Sequence, residues 1–185
     1  MHRKIKKIRM GFGLSETQIS SMLYISSYKY RRYESGSLVL TVEVLSILAI
    51  IYGVPLDYLV FDRFSVDLIL EEIDKKGILS IPDNERIKVI VSNMCKYCTF
   101  DCTSINYRVV KNILAQFLDN FSINLYTLRN LNSIEISQIS DMLFISAEHY
   151  LDLESGNVWP TIYELIKIGS IFSLSINDLM IKKMR

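Results

Sequence analysis

The chain has 185 residues, enough for one or two domains, and a formal net charge of +1. Half of the residues are hydrophobic, yet no stretch reaches the roughly 20 apolar residues that a membrane-spanning helix needs, which argues against a membrane protein. Three cysteines and no signal peptide favour a reducing cytoplasm over the disulfide-rich secreted class.

The first 61 residues are predicted to form five short helices. Apolar residues recur there at helical spacing, and polar residues stand where helices begin. Ser15 followed by Gln18 is typical of a capping box, and Ser26 and Thr41 precede apolar runs as N-caps do. Gly36 follows a helical stretch, where a left-handed residue commonly ends a helix. The predicted helices cover residues 3–11, 15–23, 27–34, 42–52 and 55–61.

Residues 62–120 are too apolar and too poor in Gly and Pro for a flexible linker. Helices are predicted over 64–76, after Pro82, and from about 105 to 118. We interpret this segment as a helical connector that fixes its neighbours and supplies a dimer interface. A small ligand-sensing core is the alternative, although no polar constellation for one is visible.

Three cysteines, Cys95, Cys98 and Cys102, lie within this middle segment. A structural zinc site normally needs four ligands, and the two histidines, His2 and His149, are remote in sequence. The spacing also places the thiols on one face of a helix, where cysteine often serves as a buried apolar residue. We therefore predict no metal and no cofactor.

The C-terminal part of the chain repeats the N-terminal part. Residues 138–156 (QISDMLFISAEHYLDLESG) align without a gap with residues 18–36 (QISSMLYISSYKYRRYESG) at an offset of 120. A repeat of about 55 residues indicates one structural unit that occurs twice. Thr161 before Glu164, and Ser175 before Asp178, repeat the capping signals. The second copy predicts helices at 123–131, 135–143, 147–154, 162–172 and 176–183.

Each copy resembles the lambda-repressor-like, or xenobiotic-response-element (XRE), helix-turn-helix family. About three residues join the second and third helices, as in a helix-turn-helix. The resemblance in the first copy rests on Leu14-Ser15, Leu23, Ile25-Ser26, Tyr30, Glu34-x-Gly36, Leu45, Leu48-Ala49, Gly53-Val54 and Leu56-Asp57-x-Leu59, and in the second on Glu154-x-Gly156 and Pro160-Thr161.

The resemblance implies an all-α fold of two five-helix bundles joined by a helical connector, with domains 1–61, 62–120 and 121–185. It also implies that the third helix of a bundle enters the DNA major groove. Two features depart from the family pattern. Glu16 stands where the family has Gln, and Tyr24 and Phe144 stand where the turn usually has Gly. Because an aromatic residue in a left-handed conformation costs on the order of 1 kcal/mol, a differently shaped turn is expected.

The third helices of the two copies differ in charge. The first copy offers Lys29, Arg31 and Arg32 on its outward side, and the second offers Glu148 and Asp152. Residues 1–60 carry eight Lys/Arg and four Asp/Glu, a net charge of +4, whereas residues 121–185 carry five and seven, a net charge of −2. Cations release counterions from phosphate and pair with guanine edges, whereas carboxylates repel a duplex.

These observations predict a cytoplasmic, bacterial-type transcriptional regulator in which the first bundle reads double-stranded DNA. The second bundle is predicted to serve protein association in a homodimer. No nucleophile–base pair or phosphate loop indicates an enzyme. The basic leading segment, which includes Lys4 and Arg9, is expected to add phosphate contacts. The candidate DNA-binding residues are Ser27, Tyr28, Lys29, Arg31 and Arg32 on the third helix, together with Thr17, Lys6 and Lys7.

Two other interpretations remain open at this point. In one, both bundles bind proteins and neither binds DNA, as in an antitoxin-like or anti-repressor adaptor; Glu16 and the acidic second copy favour it. In the other, both bundles bind one long asymmetric DNA site, which requires Glu148 and Asp152 to lie near phosphates. A basic helix face that is merely solvated is the simplest alternative for the first copy.

Overall fold

A computed structural model describes residues 1–97 and 104–184, apart from the side chains at positions 83 and 84. Cys98 and Cys102 lie outside the described residues, so that of the three-cysteine motif only Cys95, the last residue of a helix, is described. Within those residues the chain forms twelve α-helices and no strand. The helices are α1 (His2–Gly11), α2 (Glu16–Met22), α3 (Ser27–Ser35), α4 (Val42–Tyr52), α5 (Leu56–Val60), α6 (Val66–Asp74), α7 (Asp83–Cys95), α8 (Tyr107–Leu131), α9 (Ile136–Leu143), α10 (Ala147–Glu154), α11 (Ile162–Phe172) and α12 (Ile176–Ile181).

The chain divides into two compact units, Met1–Leu114 and Ala115–Arg185. In the first unit, α6 packs against α1 and α7 packs against α4. The described residues of the predicted connector up to Leu114, 62–97 and 104–114, therefore belong to the first unit. Its core contains fully buried Ile5 and Ile8 of α1, Leu45 and Leu48 of α4, and Ile69 of α6.

Arg86 of α7 ties the middle segment to the end of α1. Its side chain is buried, and its guanidinium donates hydrogen bonds to four backbone carbonyls, those of Phe12, Ile78, Leu79 and Ile81. The guanidinium carbon also lies 5.8 Å from the centroid of the Phe12 ring. One side chain therefore satisfies carbonyls of the half-buried turn at residues 78–81 and joins that turn to the end of the first helix.

The long helix α8 corrects one prediction. Separate helices were predicted over 105–118 and 123–131, but residues 107–131 form a single helix. The first helix of the N-terminal copy, shifted by 120 residues, predicts a helix that begins at residue 123. Residues 119–122 contain neither Gly nor Pro, however, so nothing there ends the preceding helix. Phe117, Phe121 and Leu125 are all buried and follow one another at intervals of four residues, so one apolar stripe runs through the expected break.

Most of the predicted helix ends are confirmed. Ser15 with Gln18, and Thr161 with Glu164, form complete capping boxes, and Ser175 accepts a hydrogen bond from the Asp178 amide. Gly36 ends α3 in the left-handed region at φ 77°. Thr41 precedes α4 as predicted, but its side chain makes no capping hydrogen bond.

An ion pair that is buried in the first unit recurs, half-buried, in the second unit at the offset of the repeat. Arg9 of α1 donates to Glu34 of α3 at 2.7 Å (Nε to Oε1) and to the Leu14 carbonyl at 2.7 Å. In the second unit, Arg129 of α8 donates to Glu154 of α10 at 2.9 Å (Nε to Oε1) and to the Ile134 carbonyl at 3.3 Å. Each pair joins the first helix of its copy to the third.

A second recurring contact changes its chemistry between the copies. In the first unit, the buried Lys4 ammonium donates to the carbonyls of Tyr58 and Phe61, at and just beyond α5. Burial lowers the pKa of Lys4. In the second unit the equivalent Asn124 amide donates to the carbonyls of Asp178, Leu179 and Lys182, at the end of α12. A neutral amide thus does in one copy what a cation does in the other.

Three tyrosine hydroxyls lie in the cores without a hydrogen-bond partner among the described residues. They belong to Tyr30 and Tyr52 in the first unit and Tyr150 in the second. All three side chains are fully buried. Burial raises the pKa of each, because ionisation would place a charge in an apolar interior. At the position equivalent to Tyr52 the second copy has Phe172, which carries no hydroxyl.

The turns between the second and third helices correct the expectation of an altered shape. Tyr24 adopts φ 54° and Phe144 adopts φ 59°, so both aromatic residues occupy the left-handed region. Both are exposed, at 45% and 83%. The chain therefore keeps the left-handed turn and tolerates the steric cost of a Cβ atom there.

The Phe144→Gly variant should have a free energy of unfolding of the second unit about 1 kcal/mol higher than that of the Phe144→Ala variant. Only Gly relieves the strain of the left-handed conformation. The Ala variant is the matched control, since both changes remove the contact between the Phe144 ring and Lys167. Urea denaturation followed by fluorescence of Trp159, the single tryptophan, would measure the difference in the second unit. Equal stability of the two variants would show that the turn is unstrained.

Candidate nucleic-acid interface

The helix α3 is fixed at both ends and along its inner side. Ser26 caps its start by accepting a hydrogen bond from the Lys29 amide at 3.1 Å. The hydroxyl groups of Ser20 on α2 and Ser27 on α3 lie 2.9 Å apart, which links the two helices. The second copy has Ala147 at the equivalent of Ser27, so this link is absent there.

The inner side of α3 is anchored by three buried side chains. Tyr30, Tyr33 and Glu34 are at most 6% exposed. Both tyrosines therefore face the core, on the side of the helix opposite the cations. The hydrogen bond from Arg9 to Glu34 holds the helix against α1 and raises the pKa of Arg9. Because a buried carboxylate with a bidentate guanidinium partner resists displacement, the orientation of α3 is well determined.

The outer side of α3 carries Tyr28, Lys29, Arg31 and Arg32, all exposed; this group is called the α3 face below. The Arg32 guanidinium lies 5.9 Å from the centroid of the Tyr28 ring, and the Lys29 ammonium lies 6.0 Å from that of Tyr33. Ser27, at the start of the helix, is half-buried. The structure therefore brings five of the eight predicted site residues together on one helix.

Glu16 lies beside the α3 face. Its Oε2 atom is 3.3 Å from Nε of Arg31, and the two side chains are 37% and 61% exposed. Its Oε1 atom is 4.0 Å from Nη2 of Arg9. The sequence marked Glu16 as a departure from the family pattern, but it gave no sign of the pairing with Arg31.

The other predicted site residues lie on neighbouring helices. Thr17 is exposed in the first turn of α2, next to Glu16, and Lys6 and Lys7 are exposed on α1. The expectation for the rest of the leading basic segment was wrong in two places. Lys4 and Arg9 are buried, and their donors are directed to carbonyls of the chain and to Glu34, so phosphates cannot reach them.

The equivalent helix of the second unit, α10, presents different chemistry. Glu148 is exposed, and Leu151 is 45% exposed where the first copy has Arg31. Asp152 accepts a hydrogen bond from the Asn157 amide at 3.1 Å, and Nε2 of His149 lies 2.9 Å from Oε1 of Glu164. This outer side offers a duplex no lysine or arginine.

An apolar patch lies elsewhere on the second unit. It consists of the exposed side chains of Met142, Phe144 and Tyr163. The ammonium of Lys167 lies 3.7 Å from the centroid of the Phe144 ring and 4.9 Å from that of Tyr163. Such cation–π contacts order exposed rings on a surface.

Comparison with known proteins gives one match. Residues 5–59, which span most of α1 to α5, match the family model described as Helix-turn-helix. The match supports an XRE-like helix-turn-helix in this segment, a motif typical of DNA-binding transcription regulators. No curated protein and no solved structure gives a significant match to the chain.

Within residues 1–97 and 104–184, every helix is too short or too polar to span a lipid bilayer. No group of three or more His, Cys, Asp or Glu side chains in that part of the chain could hold a metal ion.

Proposed function

We propose that this protein is a transcription regulator that binds double-stranded DNA by placing α3 in the major groove. One observation carries the proposal. Three cations, Lys29, Arg31 and Arg32, lie on the exposed side of a helix whose opposite side is locked into the core, within the segment that matches a helix-turn-helix. A helix presented in this way fits the width of the major groove and can reach base edges.

The residues of the interface have separable roles. Arg31 and Arg32 have the geometry for bidentate contacts to guanine or phosphate, and Lys29 offers a point charge. Ser27 and Tyr28 stand at the N-terminal end of α3, which is the part of a recognition helix that reaches the bases. Thr17, Lys6 and Lys7 would bind phosphates and set the register on the duplex.

The second unit is proposed to be a divergent copy that serves protein association. Its Arg129–Glu154 pair corresponds to Arg9–Glu34, while the cations of α3 are missing from α10. The apolar patch of Met142, Phe144 and Tyr163 supports association. In a homodimer, two copies of α3 would meet half-sites about one helical turn apart.

Binding to duplex DNA can be measured by fluorescence anisotropy with a labelled random duplex of about 30 base pairs, at several salt concentrations. The full chain should bind at low salt, and log K should fall against log salt with a slope of about −3.6 to −4.5 per chain, because about four to five exposed cations are available. Selection on genomic fragments would then give the preferred site. Two half-sites in that site, and two chains per duplex in sedimentation, would support the homodimer.

The adaptor remains the second candidate, because Glu16 already pairs with Arg31 and because α10 exposes Glu148. An adaptor would show no binding to any duplex even at low salt. Binding of both units to one long site would instead give a single asymmetric sequence in the selection.

A further inference from the structure

We infer that Glu16 is a specificity-determining residue of the interface, which positions Arg31 for a base edge and disfavours contact with phosphates. This inference rests on the proposed binding of DNA through the α3 face. It assigns a role to a carboxylate that would otherwise only weaken the attraction of the face for a polyanion.

The contact between Glu16 and Arg31 leaves the productive end of the guanidinium open. Glu16 Oε2 lies 3.3 Å from Nε of Arg31, and the Ser27 carbonyl lies 3.4 Å from the same nitrogen. Nε is therefore directed toward protein acceptors, and the two terminal nitrogens remain for a ligand. A guanine edge presents O6 and N7 as a matching pair of acceptors in the major groove.

Glu16 is itself held in place from the protein side. It is the first residue of α2, directly after the N-cap Ser15 and within the capping box that Ser15 forms with Gln18. Its second oxygen is 4.0 Å from the guanidinium of Arg9, which is buried and bonded to Glu34 and to the Leu14 carbonyl. The carboxylate thus connects the buried ion pair of the fold with an exposed arginine of the α3 face.

A carboxylate at this place also discriminates by repulsion. The Glu16 side chain is 37% exposed and lies next to Arg31. A phosphate that approaches Arg31 is therefore repelled by the Glu16 carboxylate. Repulsive elements of this kind lower the affinity for wrong partners more than for the right one. Non-specific binding depends almost wholly on phosphate contacts, and it is therefore the state that Glu16 weakens most.

Comparison of the two copies separates this pair from the contacts of the fold. The buried pair Arg9–Glu34 recurs as Arg129–Glu154. At the positions equivalent to Glu16 and Arg31, the second copy has Ile136 and Leu151. Both members of the pair are thus absent from the copy whose third helix lacks cations, although the fold contact is retained. That pattern is expected of a pair that belongs to the binding surface.

The test compares Glu16→Gln with wild type on a random duplex and on the selected site. Removing the charge should raise affinity for the random duplex about 3- to 10-fold at 0.1 M salt, and should steepen the salt slope by about 0.9 as Arg31 gains a phosphate. The ratio of specific to random affinity should fall by a similar factor. Glu71→Gln, at an exposed position of α6, removes the same charge and should change neither quantity.

The effect must also depend on Arg31. In an Arg31→Ala background, which retains Lys29 and Arg32, adding Glu16→Gln should leave the specificity ratio unchanged. A ratio that falls equally in that background would overturn the positioning role, since Glu16 would then act only through its charge. Unchanged slope and ratio in Glu16→Gln, with wild type still binding DNA, would overturn the inference and leave the proposed function standing. Absence of wild-type binding would overturn both.

Discussion

Replacement of both Arg31 and Arg32 with alanine should lower the affinity of the full chain for duplex DNA by at least about 30-fold. Each arginine can make a bidentate contact that contributes about 1–3 kcal/mol, and the two together supply much of the positive charge of the α3 face. The slope of log K against log salt should become shallower by about 0.9, because Arg32 neutralises a phosphate whereas Arg31 is directed at a base edge. Anisotropy titrations at several salt concentrations would measure both quantities.

The double variant should keep its fold, because both side chains are exposed and the inner side of α3 is untouched. Circular dichroism spectra and melting curves would verify this. The matched control replaces two exposed lysines, Lys88 in α7 and Lys96 directly after it, with alanine. It removes the same net charge from a different helix. Binding by the arginine variant with an unchanged salt slope would show that DNA does not meet the α3 face.

Replacement of Arg86 with methionine should destabilise the first unit by about 3–5 kcal/mol. The change removes the Arg86 donor from the carbonyls of Phe12, Ile78, Leu79 and Ile81, of which the Ile78 carbonyl keeps a bond from the Ile81 amide at 3.4 Å. Unsatisfied buried acceptors cost about 1–3 kcal/mol each, although neighbouring groups recover part of that loss. Urea denaturation followed by far-ultraviolet circular dichroism would measure the shift, with Trp159 fluorescence as a separate report on the second unit.

Arg3→Met is the control for Arg86→Met, since it removes the same group from an exposed position of α1. Surface changes of this kind usually alter stability by less than about 0.5 kcal/mol. Equal stability of the two variants would mean that the Arg86 hydrogen bonds are replaced by solvent and do not join the middle segment to α1.

The helices of the first copy could be predicted from the sequence because local signals mark their ends. Ser15, Ser26 and Gly36 act on neighbouring backbone groups, and each does in the structure what its position indicated. The alignment of the two copies predicts a new helix at residue 123, whereas the apolar stripe of Phe117, Phe121 and Leu125 predicts one continuous helix. The structure has the continuous helix, α8, so here the apolar spacing was the better guide.

Contacts between residues far apart in sequence could not be predicted in this way. Nothing adjacent to Arg86 indicates that its donors reach the Phe12 carbonyl, and Lys4 looks like any other cation of a basic helix until α5 is placed against it. The left-handed turns at Tyr24 and Phe144 were misjudged for a related reason. Local strain argued for another shape, but the packing of the helices on either side determines the turn.

The sequence predicted which charged side chains the candidate site exposes, but it did not predict the contacts between them. The outward positions of Lys29, Arg31 and Arg32 follow from helical spacing around two inward tyrosines. The proximity of Glu16 to Arg31 depends on the crossing of α2 and α3, which a single sequence does not give. The spatial relation of Lys6, Lys7 and Thr17 to bound DNA stays a prediction.

The buried tyrosines make the two units unequal in alkali. Because their pKa values are raised in the folded state, the unfolded chain loses these protons first, and stability falls as pH rises above about 10. Each such hydroxyl contributes a slope of about 1.4 kcal/mol per pH unit. Lys4, with its lowered pKa, acts in the opposite direction, but only up to its ordinary value of 10.5. The first unit has two such tyrosines, Tyr30 and Tyr52, and the second has one, Tyr150. Above pH 10 the free energy of unfolding of the first unit should therefore fall about twice as steeply with pH as that of the second.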